Sequence, residues 1–355
     1  MYKLLRNLLF CLPAEASHNF SLNAMNVTQR LGLSGLLAAE IDAYAQPKTV
    51  MGIKFPHIVG LAAGLDKNAD YVDALNGLGF GFLEIGTVTP RPQAGNPKPR
   101  MFRLVSEQAI INRLGFNNKG IEYALDKIRK RRSQGVLGIN IGKNFDTPVE
   151  QASQDYISCL RQCYSQADYV AINISSPNTP GLRSLQFGDE LNRLLDALKQ
   201  EQSRLNTQWG RYVPIAVKLA PDLNDGEIQS CCNSLLSREM DGVIASNTTL
   251  DRSLISQHRL ARQAGGLSGA PLTDLACNVI AKIKSQVGEQ MPIIGVGGIM
   301  TGQQALERVA AGADLLQIYT GFIYKGPPLI TEILAALHAE DSDTGVVRIR
   351  GENQG

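Results

Sequence analysis

Eight short apolar runs rich in β-branched residues alternate with eight longer segments of helical period, and this alternation constrains the fold of the 355-residue chain most. Strands that alternate with helices pair in parallel, and eight βα units in succession favour a (β/α)8 (TIM) barrel over an open doubly wound sheet. The predicted strands are Ile58–Ala62, Phe80–Ile85, Val136–Ile141, Tyr169–Ile174, Val213–Leu219, Gly242–Ser246, Pro292–Gly295 and Leu315–Tyr319. The predicted helices are Ala69–Leu78, Lys119–Ser133, Val149–Ala167, Ser184–Leu205, Asp225–Arg238, Thr273–Val287, Gly302–Ala311 and Pro328–His338.

The same pattern divides the chain into three parts. We expect a helical N-terminal segment at residues 1–45, the barrel at residues 46–339 and a polar, flexible tail at residues 340–355. Two insertions, Thr87–Asn118 and Asn247–Leu272, interrupt the βα period, and each follows the carboxyl end of a strand.

The N-terminal segment is amphipathic. Leucines at positions 4, 5, 8, 9 and 12 form one stripe of a helix, and a second apolar helical stretch spans residues 20–37. An exposed leucine forgoes about 1.5–3 kcal/mol of burial, so these helices must cover the barrel, enter lipid or do both. An ordinary helical hairpin without a ligand is the alternative. No apolar run reaches the length of about 18 residues that a membrane span needs.

Composition argues against a nucleic-acid-binding protein and against a zinc protein. With 35 basic and 33 acidic side chains the net charge is +2, which argues against a partner nucleic acid. The six cysteines form no C-x-x-C motif and no zinc-like spacing with the four histidines, so we expect reduced thiols and no metal site.

Polar and glycine-rich motifs follow all eight predicted strands. In a barrel these loops surround the mouth at the carboxyl ends of the strands, where the active site of this fold lies. The motifs are Ala62–Lys67, Gly86–Pro90, Asn140–Asn144, Asn173–Gly181, Lys218–Pro221, Ser246–Thr249, Gly295–Gly298 and Tyr319–Gly321.

Strand alternation predicts which side chains enter the barrel. The branched apolar residues of three strands should pack against the outer helices, which leaves Asn140, Asn173 and Lys218 pointing inward. A buried lysine needs an anionic or electron-rich neighbour, and paired amides suit the imide edge of a planar heterocycle. The alternative for Lys218 is an internal salt bridge to Asp66 or Asp222.

The last two units favour a phosphate site. Thr301 can cap the helix after Gly295–Gly298, Gln304 can complete a capping box, and the free N–H groups there favour an anion. The loops after strands seven and eight commonly bind phosphate in such barrels. Two further segments support the phosphate interpretation: Gly266–Gly269, which has no bulky polar side chain, and Tyr319–Gly321. A lysine, amides and a phosphate site together predict flavin mononucleotide (FMN).

Seven motifs resemble those of dihydroorotate dehydrogenases, and the similarity extends over nearly the whole chain to about His338. The motifs are Ala63–Lys67, Gly86–Pro92, Asn112–Asn118, Asn140–Lys143, Asn173–Thr179, Ser246–Arg252 and Gly295–Gly298. The resemblance implies an FMN-containing barrel that oxidises dihydroorotate to orotate in pyrimidine synthesis. It implies flavin contacts from Ala63, Gly64, Lys67, Thr87, Asn140, Asn173, Lys218, Ser246, Gly269, Gly298, Tyr319 and Thr320. It implies a substrate site formed by Lys67, Asn112, Arg113, Leu114, Gly115, Phe116, Asn173, Asn178, Asn247 and Thr248.

The resemblance also implies a catalytic base and an electron acceptor. Ser176 matches the catalytic serine of the class 2, membrane-associated members, with Thr179 as the proton relay and Phe116 walling its path. In class 2 the N-terminal helices form a funnel for a quinone, so His18, Arg103 and Tyr319 are expected to meet the quinone head. These implications describe a monomer that contacts lipid peripherally, on the cytoplasmic side of the inner (cell) membrane.

Two alternatives remain open. One is a soluble enzyme that uses fumarate or a nicotinamide-linked partner, and the other is a non-catalytic flavin-binding membrane sensor. Under the membrane-funnel hypothesis, the flavin and dihydroorotate sites are built wholly from barrel loops after Gly60. Deletion of residues up to about Leu37 is then expected to spare the first half-reaction.

Overall fold

A closed barrel of eight parallel strands forms the centre of the computed structural model, which describes residues 2–343. The strands are β1 (Lys48–Val50), β2 (Ile53–Phe55), β3 (Val59–Leu61), β4 (Phe82–Val88), β5 (Met101–Leu104), β6 (Ala109–Asn112), β7 (Val136–Ile141), β8 (Tyr169–Asn173), β9 (Ile215–Leu219), β10 (Gly242–Ala245), β11 (Gly266–Gly269), β12 (Ile293–Val296) and β13 (Leu315–Ile318). The helices are α1 (Tyr2–Phe10), α2 (Ala14–Arg30), α3 (Val72–Asn76), α4 (Ile121–Arg129), α5 (Ala152–Cys163), α6 (Gly188–Trp209), α7 (Asp225–Ser237), α8 (Thr273–Val287), α9 (Gly302–Ala310), α10 (Thr320–Lys325) and α11 (Pro328–Asp343). The barrel order is β3-β4-β7-β8-β9-β10-β12-β13, which confirms the predicted (β/α)8 fold.

Alternate residues of the barrel strands enter two separate apolar layers. Ile139, Val170 and Val217 face outward into the layer shared with the helices, whereas Phe82 and Tyr169 lie in the barrel interior. The antiparallel β1–β2 hairpin belongs to the interior cluster and contributes its buried residues there. The aromatic layer fills the lower part of the barrel, so the polar inward residues lie nearer the carboxyl ends of the strands.

The two insertions build a second sheet that the sequence did not predict. β5 and β6 form an antiparallel hairpin within the first insertion, and β11 of the second insertion pairs with β6. Register places Asn112 opposite Met101 on one side and opposite Gly266 on the other. Residues of both insertions therefore meet above one side of the barrel mouth.

The N-terminal helices pack beside this sheet. The hydroxyl of Tyr2 donates to the carbonyl of Ile323 at 2.8 Å, and Phe10 meets Tyr324 edge to face with 5.3 Å between ring centroids. The opposite face of α1 is exposed, with Leu4 at 74% and Leu8 at 71% of their accessible surface. Within residues 2–343, none of the helices combines the length and apolarity that crossing a bilayer requires.

Several helices begin or end at residues other than those predicted. The second N-terminal helix ends at Arg30, where Gly32 adopts a φ of +73° that stops it, and a short 3-10 turn follows at Ser34–Leu36. α3 starts late because the Asp66 carboxylate accepts backbone N–H groups of residues 68, 70 and 71 and forms a turn instead. The last helix continues to Asp343, beyond the predicted start of the tail at Glu340. The rest of that predicted tail, residues 344–355, lies outside the described residues.

Candidate active site

A cavity opens at the carboxyl ends of the barrel strands. Most residues predicted for the flavin, the substrate and catalysis line it together. They are Ala63, Gly64, Lys67, Thr87, Asn112, Leu114, Gly115, Phe116, Asn173, Ser176, Asn178, Lys218, Ser246, Asn247, Thr248, Gly269, Gly298, Tyr319 and Thr320. Three predicted residues, Asn140, Arg113 and Thr179, do not line this cavity.

A chain of hydrogen-bonded side chains forms the floor of the cavity. Thr87 Oγ1 donates to Asn140 Oδ1 at 2.5 Å, and Asn173 Nδ2 donates to Thr87 Oγ1 at 2.9 Å. Asn140 Nδ2 in turn donates to Glu84 Oε1 at 2.8 Å. Because Asn140 directs its amide group to these neighbours, it orients Thr87 from below the cavity surface.

Glu84 is a buried carboxylate that the sequence reasoning missed. It is 1% exposed, and its Oε2 accepts hydrogen bonds from the Tyr169 hydroxyl at 2.8 Å and from Gln317 Nε2 at 2.7 Å. An acidic residue in an otherwise apolar strand, on the same face as Phe82, was the available signal. Its partners come from three different strands, and strand alternation alone does not identify them.

Lys218 lies in the same cavity without an ion pair among the described residues. Burial lowers the pKa of Lys218, and the negative charge of Glu84 opposes that effect. The alternative salt bridges are not formed, because Asp222 pairs with Arg183 at 2.7 Å and Asp66 accepts backbone N–H groups. The ammonium group of Lys218 is therefore available to a group bound in the cavity.

The helix N-terminus at which the sequence predicts a phosphate site differs from that expectation. The N-terminus of α9 is already occupied, since Gly302 N–H donates to Glu332 Oε1 at 3.0 Å and Thr301 Oγ1 accepts from Gln304 N–H at 3.2 Å. Gln304 Oε1 accepts from Met300 N–H at 2.8 Å and not from the N–H of Thr301, so the predicted capping box is incomplete. Protein side chains thus occupy the position that the sequence assigned to an anion.

The anion-sized space lies instead between two glycine turns and the start of α10. Gly297, Gly298, Ser268 and Gly269 line it, together with residues 319–321. Gly298 has a φ of +67°, and a Cβ there would collide with the backbone of Thr273. Glycine is required there for close packing against Thr273, and backbone N–H groups in such glycine turns suit a phosphate group. Gly297 and Ser268 belong to motifs recognised in the sequence but were not singled out.

Three asparagines gather at the other end. Asn178 Nδ2 lies 3.4 Å from Asn112 Oδ1, and Asn247 Nδ2 donates to Ser175 Oγ at 2.9 Å. Phe116, with a φ of +51°, lies against Gly142, where a side chain would meet its ring. Side-chain amide groups from three different segments therefore converge, and together they could form hydrogen bonds with a polar heterocycle as donors and acceptors.

Ser176 and Thr179 lie close in the loop after β8 but in different surroundings. Ser176 faces the cavity, and its Oγ accepts a hydrogen bond from Asn178 N–H at 3.2 Å. Thr179 is buried, and within the described part of the chain its Oγ1 has no hydrogen-bond partner. Arg183 holds the base of the loop by donating to the carbonyl of Ser175 at 3.0 Å and to that of Thr248 at 3.0 Å.

Lys67 supplies a second cation to the cavity. Burial and, to a smaller extent, the nearby charge of Arg100 lower its pKa to about 8, although the charges of Glu15 and Asp66 oppose both effects. Lys67 thus remains mostly protonated at neutral pH and loses its charge near pH 8.

A second cavity of about 610 Å³ lies between α1, α2 and the barrel, and mostly apolar side chains line it. His18 and Arg103 line this cavity as expected, whereas Tyr319 lines the first cavity. Burial lowers the pKa of His18 to about 3, aided by the charge of Lys67, so the imidazole is neutral at physiological pH. The Arg103 guanidinium donates hydrogen bonds to the carbonyl groups of Leu9, Phe10 and Leu12. These contacts also hold the end of α1 in place.

Arg113 points away from the mouth. Its guanidinium donates to Gln263 Oε1 at 2.9 Å and to the carbonyl of Pro99 at 2.8 Å, and it stacks 4.7 Å from the ring centroid of Phe102. These contacts join the two insertions, so Arg113 supports the wall of the cavity from behind.

The sequence family model for dihydroorotate dehydrogenase matches residues 46–340 of the chain. The dihydroorotate dehydrogenase (quinone) of Marinobacter nauticus is 54% identical over 342 residues, which cover 96% of this chain and 100% of that protein. The enzyme of the same name from Cellvibrio japonicus is 56% identical over 337 residues, covering 95% of this chain and 98% of the relative.

Solved structures agree with this match. The DHODH of Eimeria tenella in complex with ferulenol superposes with a TM-score of 0.83 at 36% identity, over 91% of this chain and 92% of that one. The ligand-free form of the same enzyme gives a TM-score of 0.82. The chain therefore belongs to the dihydroorotate dehydrogenase family.

Proposed function

We propose that this protein oxidises dihydroorotate to orotate in pyrimidine biosynthesis, with FMN as its cofactor and a quinone as the final electron acceptor. One observation carries the proposal: a single cavity joins a glycine-lined end, the buried Lys218, the half-buried Lys67, three convergent asparagines and Ser176. The relatives that match nearly the whole chain carry the name dihydroorotate dehydrogenase (quinone), which supports the same reaction and acceptor.

The cavity has room and suitable donors for FMN. Gly269, Gly298 and Thr320 would hold the phosphate by backbone N–H groups, and Lys218 would face the ring system above Thr87. Bound FMN would supply the two-electron acceptor for the oxidation. Lys218 would stabilise negative charge there, because an ammonium group acts strongly in a site that excludes water.

The asparagine end suits dihydroorotate. Asn112, Asn178 and Asn247 would donate to and accept from its ring amide groups and carboxylate, and Lys67 would balance the carboxylate charge. This arrangement would turn C5 of the substrate toward Ser176.

Ser176 would then accept the C5 proton on Oγ. That proton is acidified by the adjacent carbonyl, and a positioned base contributes about 10²–10⁴-fold to such a step. A serine hydroxyl is a weak base, so the proton must move on. The buried Thr179 Oγ1, which has no partner among the described residues, would accept it and release its own proton toward solvent, with Phe116 walling the path.

The second cavity is the proposed quinone site. Its lining is largely apolar, and it adjoins α1, whose opposite face exposes leucines. An amphipathic helix of this kind binds at the membrane interface, next to the apolar layer in which long-chain quinones dissolve. We propose a monomer attached peripherally to the cytoplasmic side of the cell membrane, with His18 and Arg103 near the quinone head. Tyr319, which lines the first cavity, would then lie between the flavin and the quinone.

Anaerobic mixing of the purified protein with dihydroorotate tests the first half-reaction, because flavin absorbance near the visible maximum should disappear. Adding decylubiquinone should restore it, whereas fumarate or NAD⁺ should not. Persistent absorbance with dihydroorotate would overturn the proposed substrate. Reoxidation by fumarate or NAD⁺ alone would overturn the proposed acceptor and favour the soluble alternative.

A further inference from the structure

One carboxylate of the N-terminal helix α2 pairs with an arginine of the loop before β5. Glu15 lies in the first turn of α2, and its Oε1 and Oε2 accept hydrogen bonds from Arg100 at 2.8 Å and 3.4 Å. The Arg100 side chain is 7% exposed and that of Glu15 is 21% exposed. A forked, nearly buried arginine–carboxylate pair of this kind is among the stronger hydrogen-bonded contacts in proteins.

Arg100 also organises the loop before β5. Its Nη1 donates to the carbonyl of Ala94 at 2.7 Å and to that of Asn96 at 2.9 Å. Gly95 lies between these acceptors with a φ of +72°, and a side chain there would strike the backbone of Leu114. The guanidinium thus uses one edge for Glu15 and another for this loop.

The loop in turn holds the wall of the substrate end. Asn96 Nδ2 donates to the carbonyl of Arg113 at 2.9 Å and lies 3.4 Å from that of Asn178. Asn96 N–H donates to the carbonyl of Leu114 at 3.1 Å. Each of these contacted segments contributes a residue to the cavity or lies next to one. A continuous path of hydrogen bonds therefore leads from α2 to the asparagine end.

The same charged groups also affect the pKa of Lys67. Arg100 and Glu15 act on the pKa of Lys67 with opposite sign, Asp66 acts with Glu15, and His18 of α2 is neutral at physiological pH. Without the charge of Glu15, Asp66 alone would oppose the effect of the Arg100 guanidinium on the pKa of Lys67.

We propose that Glu15 is a positioning residue for dihydroorotate binding, acting through Arg100 on the substrate wall and on Lys67. The inference rests on the proposed function and adds a second role to the N-terminal segment, which then serves the substrate site as well as the quinone path. It departs from the expectation that barrel loops alone build the dihydroorotate site. Deletion of residues up to about Leu37 removes Glu15 and therefore impairs the first half-reaction.

The test compares Glu15→Gln with the wild type as full-length, flavin-loaded proteins. Orotate binding is measured by the change in flavin absorbance from pH 6 to pH 9.5, and circular dichroism confirms folding. In Glu15→Gln the dissociation constant of orotate should rise about tenfold at pH 7. The pH at which binding is half lost should move downward, because Lys67 loses its proton earlier. Glu15→Asp should restore most of the affinity.

Matched variants separate this role from a merely structural one. Lys98 also contacts Glu15, at 3.4 Å, but is 66% exposed and holds no loop, so Lys98→Gln should bind orotate as the wild type does. In an Arg100→Gln background, adding Glu15→Gln should have a much smaller further effect, because the partner that holds the loop is already absent and only the direct effect of the Glu15 charge on Lys67 is lost.

Three outcomes would overturn the inference. They are wild-type orotate affinity and pH midpoint in Glu15→Gln, an equal loss of affinity in Lys98→Gln, and a full additional loss in the Arg100→Gln background. Failure of the wild type itself to bind orotate would instead refute the proposed function, and the inference with it.

Discussion

The side-chain amide of Asn140 lies 2.8 Å from Oε1 of Glu84 and donates a hydrogen bond to this buried carboxylate at the centre of the barrel. Asn140, which is expected to contact the cofactor, is oriented by this contact and also supports Thr87. It also places a negative charge on the far side of Lys218 from the cavity mouth, where it partly cancels the field of the lysine.

Glu84→Gln should therefore raise the midpoint potential of the bound flavin. Glutamine keeps the shape and removes the charge, so Lys218 favours added electrons more strongly. A tenfold change in the equilibrium corresponds to about 30 mV for a two-electron couple, and we expect a shift of that order. Dye equilibration measures it. Tyr169→Phe removes a donor from the same carboxylate without changing its charge and should shift the potential far less. An unchanged potential in Glu84→Gln would contradict the assignment.

Lys218→Ala should weaken FMN binding or slow its reduction more than tenfold, a cost of about 1.4 kcal/mol or more. The reason is that Lys218 is buried in the cavity with no ion pair inside residues 2–343. Equilibrium dialysis and stopped-flow absorbance measure the two effects. Normal flavin content together with normal reduction by dihydroorotate would remove Lys218 from the site.

Ser176→Ala should retain FMN and bind orotate, yet lose about 10²–10⁴-fold in the rate of flavin reduction. The wild-type rate should rise with pH because the serine proton is shed more easily, and the residual rate of the variant should not follow that profile. Thr179→Val tests the relay and should show a smaller loss. Reduction of Ser176→Ala at the wild-type rate in stopped-flow would identify another base.

Arg103→Ala should raise the KM for a long-chain quinone and leave anaerobic reduction by dihydroorotate nearly unchanged. Two causes act together, since Arg103 lines the second cavity and also holds the carbonyl groups at the end of α1. Arg103→Lys keeps the charge but cannot reach all three acceptors, so it should show an intermediate KM. Equal KM values in all three proteins would place the quinone elsewhere.

Replacing Leu4 and Leu8 together by serine should detach the protein from vesicles of anionic lipid. Each leucine transferred into lipid contributes about 1.5–3 kcal/mol, so the partition coefficient should fall more than a hundredfold. Cosedimentation measures it. Trp209→Ser, at a 51% exposed position on α6, is the matched control and should bind as the wild type does. Unaltered sedimentation of the leucine variant would show that α1 does not enter lipid.

The barrel strands were predictable because short apolar runs alternate with segments of helical period, and period-2 alternation is clear in β7, β8 and β9. Asn173 and Lys218 point inward for that reason alone. The β5–β6–β11 sheet was not predicted, because its strands are short and lie within insertions that carry several glycines and prolines. The α9 N-terminus was assigned to phosphate because sequence shows a helix start but not the distant Glu332 carboxylate that occupies it.

The remaining differences have the same origin in long-range contacts. Glu84 was visible as a charge in an apolar strand, yet its role depends on Tyr169 and Gln317 from other strands. Arg113 follows Asn112 in a matching motif, but the β6 register turns it toward Gln263 and away from the mouth. Spacing along the chain does not specify such partners.

The pairing of β11 with β6 also determines which changes in length the mouth can accept. Register holds Gly266, beside Thr248 at the substrate end, opposite Asn112, and Gly269, beside Thr320 at the phosphate end, opposite Ala109. Main-chain hydrogen bonds thus set the span between the two ends. One inserted or deleted residue in β11 would alter it by about 3.4 Å and reverse the faces of the strand. The two insertions can therefore diverge in side chains, or be redesigned for other ligands, only while these four residues of β11 keep their number.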